Sequence, residues 1–435
     1  MTNEHTDEAI KREDEQKIVA TEDANNTSEL PKEDYDDYVF AHYKKHSNQH
    51  KRSKHRYAYS DNQEIVRSNS EQHYRHHRKF SLKDKKWHSR PWWQKLLIIL
   101  AWIVAVPVII LIILLILFLI LRYAGILKLT DYSNLDMTAP VIENAQVSVE
   151  NNGQRVTYKD KEYAFNTDMT SILCVGVDKY DLGVDDGTGG QADAIYLIAL
   201  DTATGKTRVI AVPRDIVTDI GIYSPEGEYL RTEKHQLCLS YAYGDGRKTS
   251  CLNTATAVSR LFYQLPINSY FAVNLNAIAT LNDAVGGVTV TMIDNSFYDT
   301  SHTFHYEGEA VTLYGDNALS YIRQRDVNYL SSSIDRLNRQ VNYLKAFSSK
   351  ALEQTKKDLT TPVNLYNIVA ENSETNLTPS TITAFATSVV SNGISELDFV
   401  TVPGELSSDG TYAEYHVNEE AFYELILDTY YKPVN

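Results

Sequence analysis

Between Leu96 and Leu121 the chain carries no charged or strongly polar side chain. A membrane-spanning helix needs about 20 such residues, and this run is longer. As a helix it would extend roughly 39 Å against a hydrocarbon core of about 30 Å, so it can cross with tilt. Pro107 lies inside the run, a position that membrane helices tolerate. Trp92, Trp93 and Trp102 on one side and Tyr123 on the other suit the interfacial belts. A buried core helix is the competing reading, and the length and flanks weigh against it. The run is too long, and starts too far from Met1, for a cleaved signal peptide.

Charge divides the rest of the chain. Residues 1–41 hold 13 acidic and 4 basic residues; residues 42–95 hold 15 basic and 4 acidic ones, with 8 of the 13 histidines. Residues 122–435 carry 23 basic and 40 acidic residues. Arg75, Arg78, Lys79, Lys83, Lys85, Lys86, Arg90 and Lys95 precede the span, and Arg122 and Lys128 follow it closely. Positive flanks stay inside. The expectation is therefore a single-pass membrane protein with residues 1–95 cytoplasmic, 96–121 in the bilayer and the remainder outside.

Residues 1–95 are polar and show neither helical nor strand periodicity, which predicts a disordered tail. Its basic part can meet anionic lipid headgroups or a cytoplasmic partner. His73, His76 and His77 can bind metal, although a solvated basic segment is the simpler account. Tyr35, Tyr38, Tyr43, Tyr57, Tyr59 and Tyr74 are possible phosphorylation sites. A net charge of −15 argues against nucleic acid as a partner. Three cysteines exclude a disulfide scaffold.

Residues 122–165 read as a linker with a short strand pair around the Asn151-Asn152-Gly153 turn. Beyond it, short apolar runs alternate with helical segments. Thr170–Val177, Ala194–Leu200, Thr207–Val212, Tyr270–Asn274 and Val288–Ile293 read as strands. Asn253–Leu265, Leu275–Val285, Gly315–Arg323 and Ile334–Leu352 read as helices. This alternation predicts an α/β fold, a central mixed β-sheet flanked by helices on both faces. Residues 166–350 would form the main α/β domain. Residues 351–435, with further helices and one strand at Leu397–Val402, would extend it.

Four polar clusters fall at strand or helix ends, where α/β sites are built. Asp178 and Asp193 can share a Mg²⁺ with phosphate oxygens, or merely cap turns. Arg214-Asp215 follows Pro213 at a strand tip, as a phosphate fork or a local ion pair. Arg323, Arg325, Arg336, Arg339 and Gln340 concentrate cationic and polar groups in an otherwise acidic region and suggest an anion site. Cys238 and Cys251 flank the fourth cluster, Tyr241–Gly246. They can form a disulfide closing about 14 residues, worth ~3 kcal/mol in the chain-entropy model. Cys174, inside an apolar strand, reads as a small buried hydrophobe. Carboxylates for a metal and arginines for phosphate together suggest a pyrophosphate-bearing substrate, and the anchor suggests a lipid-linked one.

The ordered segments ILCVGVD (172–178), QADAIYLIALD (191–201), AVPRD (211–215), LSYAYGDG (239–246), SYFAVNLNAIATLNDAVGGVTV (269–290), ALSYIRQRD (318–326) and IDRLNRQ (334–340) resemble the LytR–CpsA–Psr family of cell-wall glycopolymer ligases. The resemblance covers residues 170–350. It implies a Gram-positive phosphotransferase that moves a teichoic acid or capsular polysaccharide from polyprenyl pyrophosphate to the 6-hydroxyl of N-acetylmuramic acid in peptidoglycan. By residue match it implies Mg²⁺ at Asp178 and Asp193. It implies pyrophosphate binding by Arg214, Arg323, Arg325, Arg336, Arg339 and Gln340, with Asp193, Arg214 and Arg325 catalytic. Tyr270–Asn274 would line a lipid cleft.

The chain departs from the family at three places. Gln191-Ala192 replaces Arg-Ser, Gln236-Leu237-Cys238 replaces Lys-Ile-Asn, and Ser333 stands where an Asp is usual. Asp326 or Asp335 is then the expected base. Two other activities use the same groups: hydrolysis of the lipid pyrophosphate, and non-catalytic sensing of polyprenyl phosphate.

Overall fold

The computed structural model describes residues 90–434, except 144, 184–188, 225–226, 327, 330, 359, 393–396 and 408–411. The expected tail, with its histidines 73, 76 and 77 and its tyrosines, lies outside the described residues up to position 89.

The apolar run is the middle of a longer helix, α1, Trp92–Leu129. It is long and apolar enough to cross a membrane, and its most apolar stretch is unburied by the rest of the chain. Among the described residues its last turns pack on the folded domain.

That domain is built on six strands: β1 Met169–Val177, β2 Ala192–Asp201, β3 Thr207–Ala211, β4 Ser269–Val273, β5 Ser373–Thr375 and β6 Asp398–Thr401. Their spatial order is β5-β4-β1-β2-β3-β6. β1 runs antiparallel to β2 and parallel to β4, and β6 runs parallel to β3. The sheet is therefore mixed, as expected. β1 is central and buried along nearly its whole length, which is why it reads as an unbroken apolar run rather than an alternating one.

Helices cover both faces. Alternate residues Leu173, Val175 and Val177 of β1 and Ile195 and Leu197 of β2 join the main core. There they meet α2, Lys248–Leu261, and a C-terminal helix, α8, Glu419–Tyr430. On the opposite face Tyr196, Val209 and Ala211 pack on Leu337 of the long helix α5, Ser332–Lys357. Between them stand α3, Asn276–Ala284, and α4, Asp316–Arg323. They enclose a smaller core of Val285, Val288, Val290, Phe297, Tyr321 and Tyr343.

The segment after residue 350 is integral to this architecture. It supplies both edge strands of the sheet, α6 at Thr361–Glu371, α7 at Pro379–Asn392, and α8. The chain ends by pairing Tyr431–Pro433 with Lys161–Phe165. Sequence gives little sign of β5, a three-residue strand formed by pairing with β4 rather than by its own apolar content.

The anchor is docked through α7. Leu129 packs with Ile172 and Ala384, and Arg122 Nε donates to Thr387 Oγ1 at 3.2 Å. Gly125 makes the approach possible: a Cβ there would lie 2.0 Å from the Ser380 carbonyl oxygen and 2.8 Å from Ala384 Cβ. Gly125→Ala is expected to cost about 1–3 kcal/mol by overpacking. It should lower the thermal midpoint of the detergent-solubilised full chain. An unchanged midpoint would show that α1 does not seat on α7.

Candidate active site

The C-terminal ends of β1, β3 and β4 and the start of β2 meet at one edge of the sheet. α4 and α5 close over that edge and leave a cleft of about 670 Å³. Asp178 and Asp193 from the sheet, Arg214 from the β3 end, and Arg323, Arg325 and Arg336 from the helical side all line it. Six of the residues predicted from sequence therefore converge.

Their arrangement is specific. Asp193 sits between two guanidinium groups: Arg214 Nη1 contacts its Oδ1, and Arg336 Nη1 reaches its Oδ2 at 2.9 Å. The three side chains are 17%, 12% and 6% exposed. Arg214 also donates to Gln191 Oε1 at 2.8 Å and lies 3.5 Å from Asp215 Oδ1. Asp178 pairs with Arg323 at 2.6 Å on the open side.

Negative charge does not fully match positive charge here. Burial, then the neighbouring guanidinium groups of Arg214 and Arg325, push the Arg336 pKa down to about 10. Arg336 Nη2, Arg214 Nε and Ser333 Oγ are buried without hydrogen-bond partners. Arg325 stands exposed on the rim, because Gln324 leaves the helical conformation at ψ 134° and redirects the chain. Such a cluster of pre-oriented donors attracts an anion with several oxygens.

Arg339 and Gln340 do not line the polar cleft. Arg339 is 1% exposed, donates to the Gln324 carbonyl and faces Asp294 at 3.5 Å. Gln340 Nε2 donates to the Ile322 carbonyl at 3.2 Å. Both serve the last carbonyls of α4, which no helical N–H can satisfy. They hold the end of α4, from which Arg323 and Arg325 project, and Gln340 also lines an apolar cavity that adjoins the cleft. The two expected bases are also elsewhere. Asp326 accepts from Asn328 N and Nδ2 at 2.9 and 2.8 Å. Asp335 accepts from Ser331 Oγ at 2.9 Å. Each carboxylate closes its own turn, and neither lines the cleft.

Sequence reasoning missed Asp316, Gln191, Gln324 and Tyr180, all of which line it. Asp316 looks like an ordinary acid in the first turn of a helix. Only the fold shows that this turn faces the cleft.

A second, apolar cavity of about 130 Å³ adjoins the cleft and shares Asp178, Asp193, Arg323 and Arg336 with it. Cys174, Gly176, Ala194, Tyr196, Ile278, Ile322 and Leu344 contribute to its wall. Gly176 and Ala194 are register partners. A Cβ on Gly176 would come within 3.0 Å of Ala194 Cβ, so two small residues leave the space open. Val273 and Asn274 line this cavity as expected. Tyr270 turns to the main core instead.

The thiols correct another expectation. Cys238 and Cys251 are both free and buried. Burial raises both thiol pKa values, that of Cys251 to about 12. Arg214 and Asp215 neighbour Cys238, whereas Glu374 and Tyr241 neighbour Cys251. The two sulfurs are turned into different surroundings, and a disulfide does not form. The spacing that suggests a loop carries no information about side-chain direction.

A sequence profile of the LytR_cpsA_psr family matches residues 132–427. The chain belongs to this family, and the match includes the C-terminal segment that its motifs leave unassigned. Among its relatives is the polyisoprenyl-teichoic acid–peptidoglycan teichoic acid transferase TagU of Bacillus licheniformis, 25% identical over 251 residues, covering 57% of this chain and 71% of the relative. The TagU protein of Oceanobacillus iheyensis is 25% identical over 303 residues, covering 69% of this chain and 80% of that one. The crystal structure of protein gbs0355 from Streptococcus agalactiae shares the fold, with a TM-score of 0.50 at 19% identity, over 60% of this chain and 88% of that one.

Two outcomes are expected. Asp193→Asn leaves Arg214 and Arg336 uncompensated in a buried site, at a cost of about 3–5 kcal/mol. Added pyrophosphate should recover more thermal stability in this variant than in the wild type. An equal shift in both would remove the anion-site reading. Separately, alkylation of the unreduced, denatured chain should modify all three cysteines, whereas the native chain at pH 8 should leave Cys238 and Cys251 unmodified. Only one modified thiol after denaturation would restore the disulfide.

Proposed function

We propose that this protein is a membrane-anchored phosphotransferase that moves an anionic glycopolymer from polyprenyl pyrophosphate to peptidoglycan, forming a phosphodiester. The cleft that joins a surplus of guanidinium groups to an apolar cavity carries this reading. A lipid pyrophosphate has those two halves in that order. The named activity of the TagU relatives supports it. A teichoic acid or a capsular polysaccharide is the cargo class. In this reading α1 crosses the bilayer with its N-terminal side in the cytoplasm, and the folded domain works outside.

Arg214, Arg323, Arg325 and Arg336 bind the pyrophosphate oxygens and spread the charge that develops as the bridging bond breaks. The acceptor hydroxyl attacks the sugar-side phosphorus. A new P–O bond forms, the bridging P–O bond breaks, and polyprenyl monophosphate leaves. The hydroxyl proton needs a base. Asp178 is held by Arg323, and Asp193 by Arg214 and Arg336. Asp316 is exposed in the cleft wall with no ion pair among the described residues, and we assign the proton to it.

Mg²⁺ suits the same edge. Asp178 and Asp193 offer hard oxygen donors from adjacent strands, which the ion would share with the arginines that now contact them. Among the described residues no group of three or more His, Cys, Asp or Glu side chains forms a metal site. The ion would be held by the two aspartates together with phosphate oxygens, the usual sharing for Mg²⁺ at phosphate sites. When bound it would neutralise pyrophosphate charge.

The test uses the detergent-solubilised full chain with Mg²⁺, a synthetic polyprenyl-pyrophosphate oligosaccharide and peptidoglycan oligomers, followed by mass spectrometry. A phosphodiester-linked adduct is expected, abolished by Arg325→Ala. Asp316→Asn should lower kcat about 10²–10⁴-fold, with little change in donor KM. Free sugar phosphate formed equally with and without peptidoglycan would replace the transferase with a hydrolase. Tight donor binding without any product would leave a sensor.

A further inference from the structure

From Val288 to Ile322 the chain contains no Lys or Arg, while Asp294, Asp299, Glu307, Glu309 and Asp316 give it five acids. The segment borders a cleft whose other walls are crowded with arginines. It also exposes aromatic rings: Tyr298 is 39% exposed, and Phe304 and Tyr306 are each 59% exposed. Isolated exposed aromatics are ordinary, but Tyr298 and Phe304 are paired, and Tyr306 follows two residues on. The Tyr298 and Phe304 rings lie 5.6 Å apart, and His302 stacks on Tyr298 at 6.1 Å. Phe304 and Tyr306 flank His305, which turns inward to stack on buried Phe297.

The group is held rigidly. Tyr298 and Phe304 form a β-bridge. Asp299 Oδ1 accepts from Ser301 N and Thr303 N, each at 2.9 Å. The loop is fixed to α4 at two points. Asn317 Oδ1 accepts from Thr300 N at 2.8 Å. Gln324 accepts from Tyr298 N at 3.2 Å and donates to its carbonyl at 2.7 Å. Gln324 also lines the cleft, as does Asp316 beside Asn317. The rings are therefore continuous with the reaction site through α4.

We propose that Tyr298, Phe304 and Tyr306 form a platform for an uncharged N-acetylated glycan strand, the acceptor, which it delivers past Asp316 to the phosphorus. The proposal rests on the transferase reading for the acceptor's role, not for its binding. The chemistry favours this occupant. A pyranose ring has an apolar face of C–H groups that lies against an aromatic ring, and its hydroxyl and amide edges meet tyrosine, histidine and carboxylate groups at the margin. Fixed rings bind at low entropic cost. Asp294 faces Arg339, and His305 lies between Asp299 and Glu309, but Glu307 and Asp316 have no ion pair among the described residues, and the loop, without a Lys or Arg of its own, offers the polymer's phosphates and anionic lipid headgroups no counter-charge. Donor and acceptor thus approach the cleft from sides of opposite charge.

The test uses the full chain in lipid nanodiscs, with chitohexaose as a neutral N-acetylglucosamine probe observed by saturation-transfer NMR, together with steady-state kinetics on peptidoglycan oligomers. Removing two rings in Phe304→Ala/Tyr306→Ala should abolish the transfer signal and raise acceptor KM about tenfold or more, while donor KM holds. Phe304→Tyr keeps a ring and should retain binding, which separates stacking from folding. Chitohexaose binding that is lost in the double variant, without transfer by the wild type, would keep the platform and overturn the transferase reading. Failure of the wild type to bind chitohexaose would overturn the platform. So would unchanged binding and KM in the double variant. A wild-type dimer dispersed by the double variant, with chitohexaose binding unchanged, would reassign the rings to self-association and also overturn it.

Discussion

Asp193 is the point on which the site depends. It belongs to β2, yet its two oxygens hold Arg214 from the end of β3 and Arg336 from α5. One carboxylate thus ties three elements together and keeps two like charges apart. Burying such a trio is a poor source of stability, because desolvation offsets most of the attraction. Its value lies in orientation: the guanidinium groups are set before any substrate arrives. The surroundings maintain this arrangement. Gln191 takes a further Arg214 donor, Asp215 stands behind it, and Gln236 bonds to Asp215 at 3.3 Å and to the Ala413 carbonyl at 2.7 Å. An acidic domain of 40 carboxylates and 23 cations thereby presents a local excess of positive charge.

The parts of the fold written into local periodicity were legible in sequence. β1, β2 and β3 appear as apolar runs with turn residues between them, and α5 as a long amphipathic stretch. Apolar content, however, does not specify pairing. β5 is a polar Ser-Glu-Thr segment that becomes a strand because β4 offers it an edge. The site shows the same division. Residues at helical spacing share a face, which groups Arg336, Arg339 and Gln340. Spacing does not say what faces them. Arg336 meets the sheet, whereas Arg339 and Gln340 meet the end of α4 and bind its carbonyls. Their chemistry is backbone capping, and no feature of IDRLNRQ distinguishes that from phosphate binding. Asp316 has the reverse problem: a residue typical of any helix start gains its meaning from the direction in which that start points.

The anchor and the cleft are mechanically connected. Leu129 at the end of α1 packs on Ile172, and β1 then runs six residues to Asp178. At about 3.3 Å per residue, the reaction edge lies roughly 20 Å along the strand from that contact. α7 makes the dock, and β5 and β6, on either side of it in sequence, close the two edges of the sheet. The C-terminal segment therefore both completes the domain and sets its relation to α1. A truncation near residue 350 would remove the edge strands, the dock and half of the main core's helical cover together.

This geometry gives the apolar cavity a direction. Its wall comes from the face of β1 and β2 that carries Cys174, Gly176, Ala194 and Tyr196, and the same face carries Ile172 and Ile198 against α1 and α7. One side of one sheet thus joins α1, the space left by Gly176 and Ala194, and the carboxylate–arginine edge. A lipid tail and a phosphate headgroup demand incompatible solvents, and the sheet supplies both within the length of one strand. The aromatic, cation-free loop lies beyond the charged edge on α4. The polar centre is therefore bordered by two surfaces that do not suit phosphate for different reasons: the cavity because its lining is mostly apolar, and the loop because it has no Lys or Arg of its own. The counter-charge for an anion that enters lies at the guanidinium groups of Arg214, Arg323, Arg325 and Arg336. Charge around the cleft would hold a pyrophosphate without telling its two phosphorus atoms apart, and the apolar cavity on one side supplies the asymmetry that orients them.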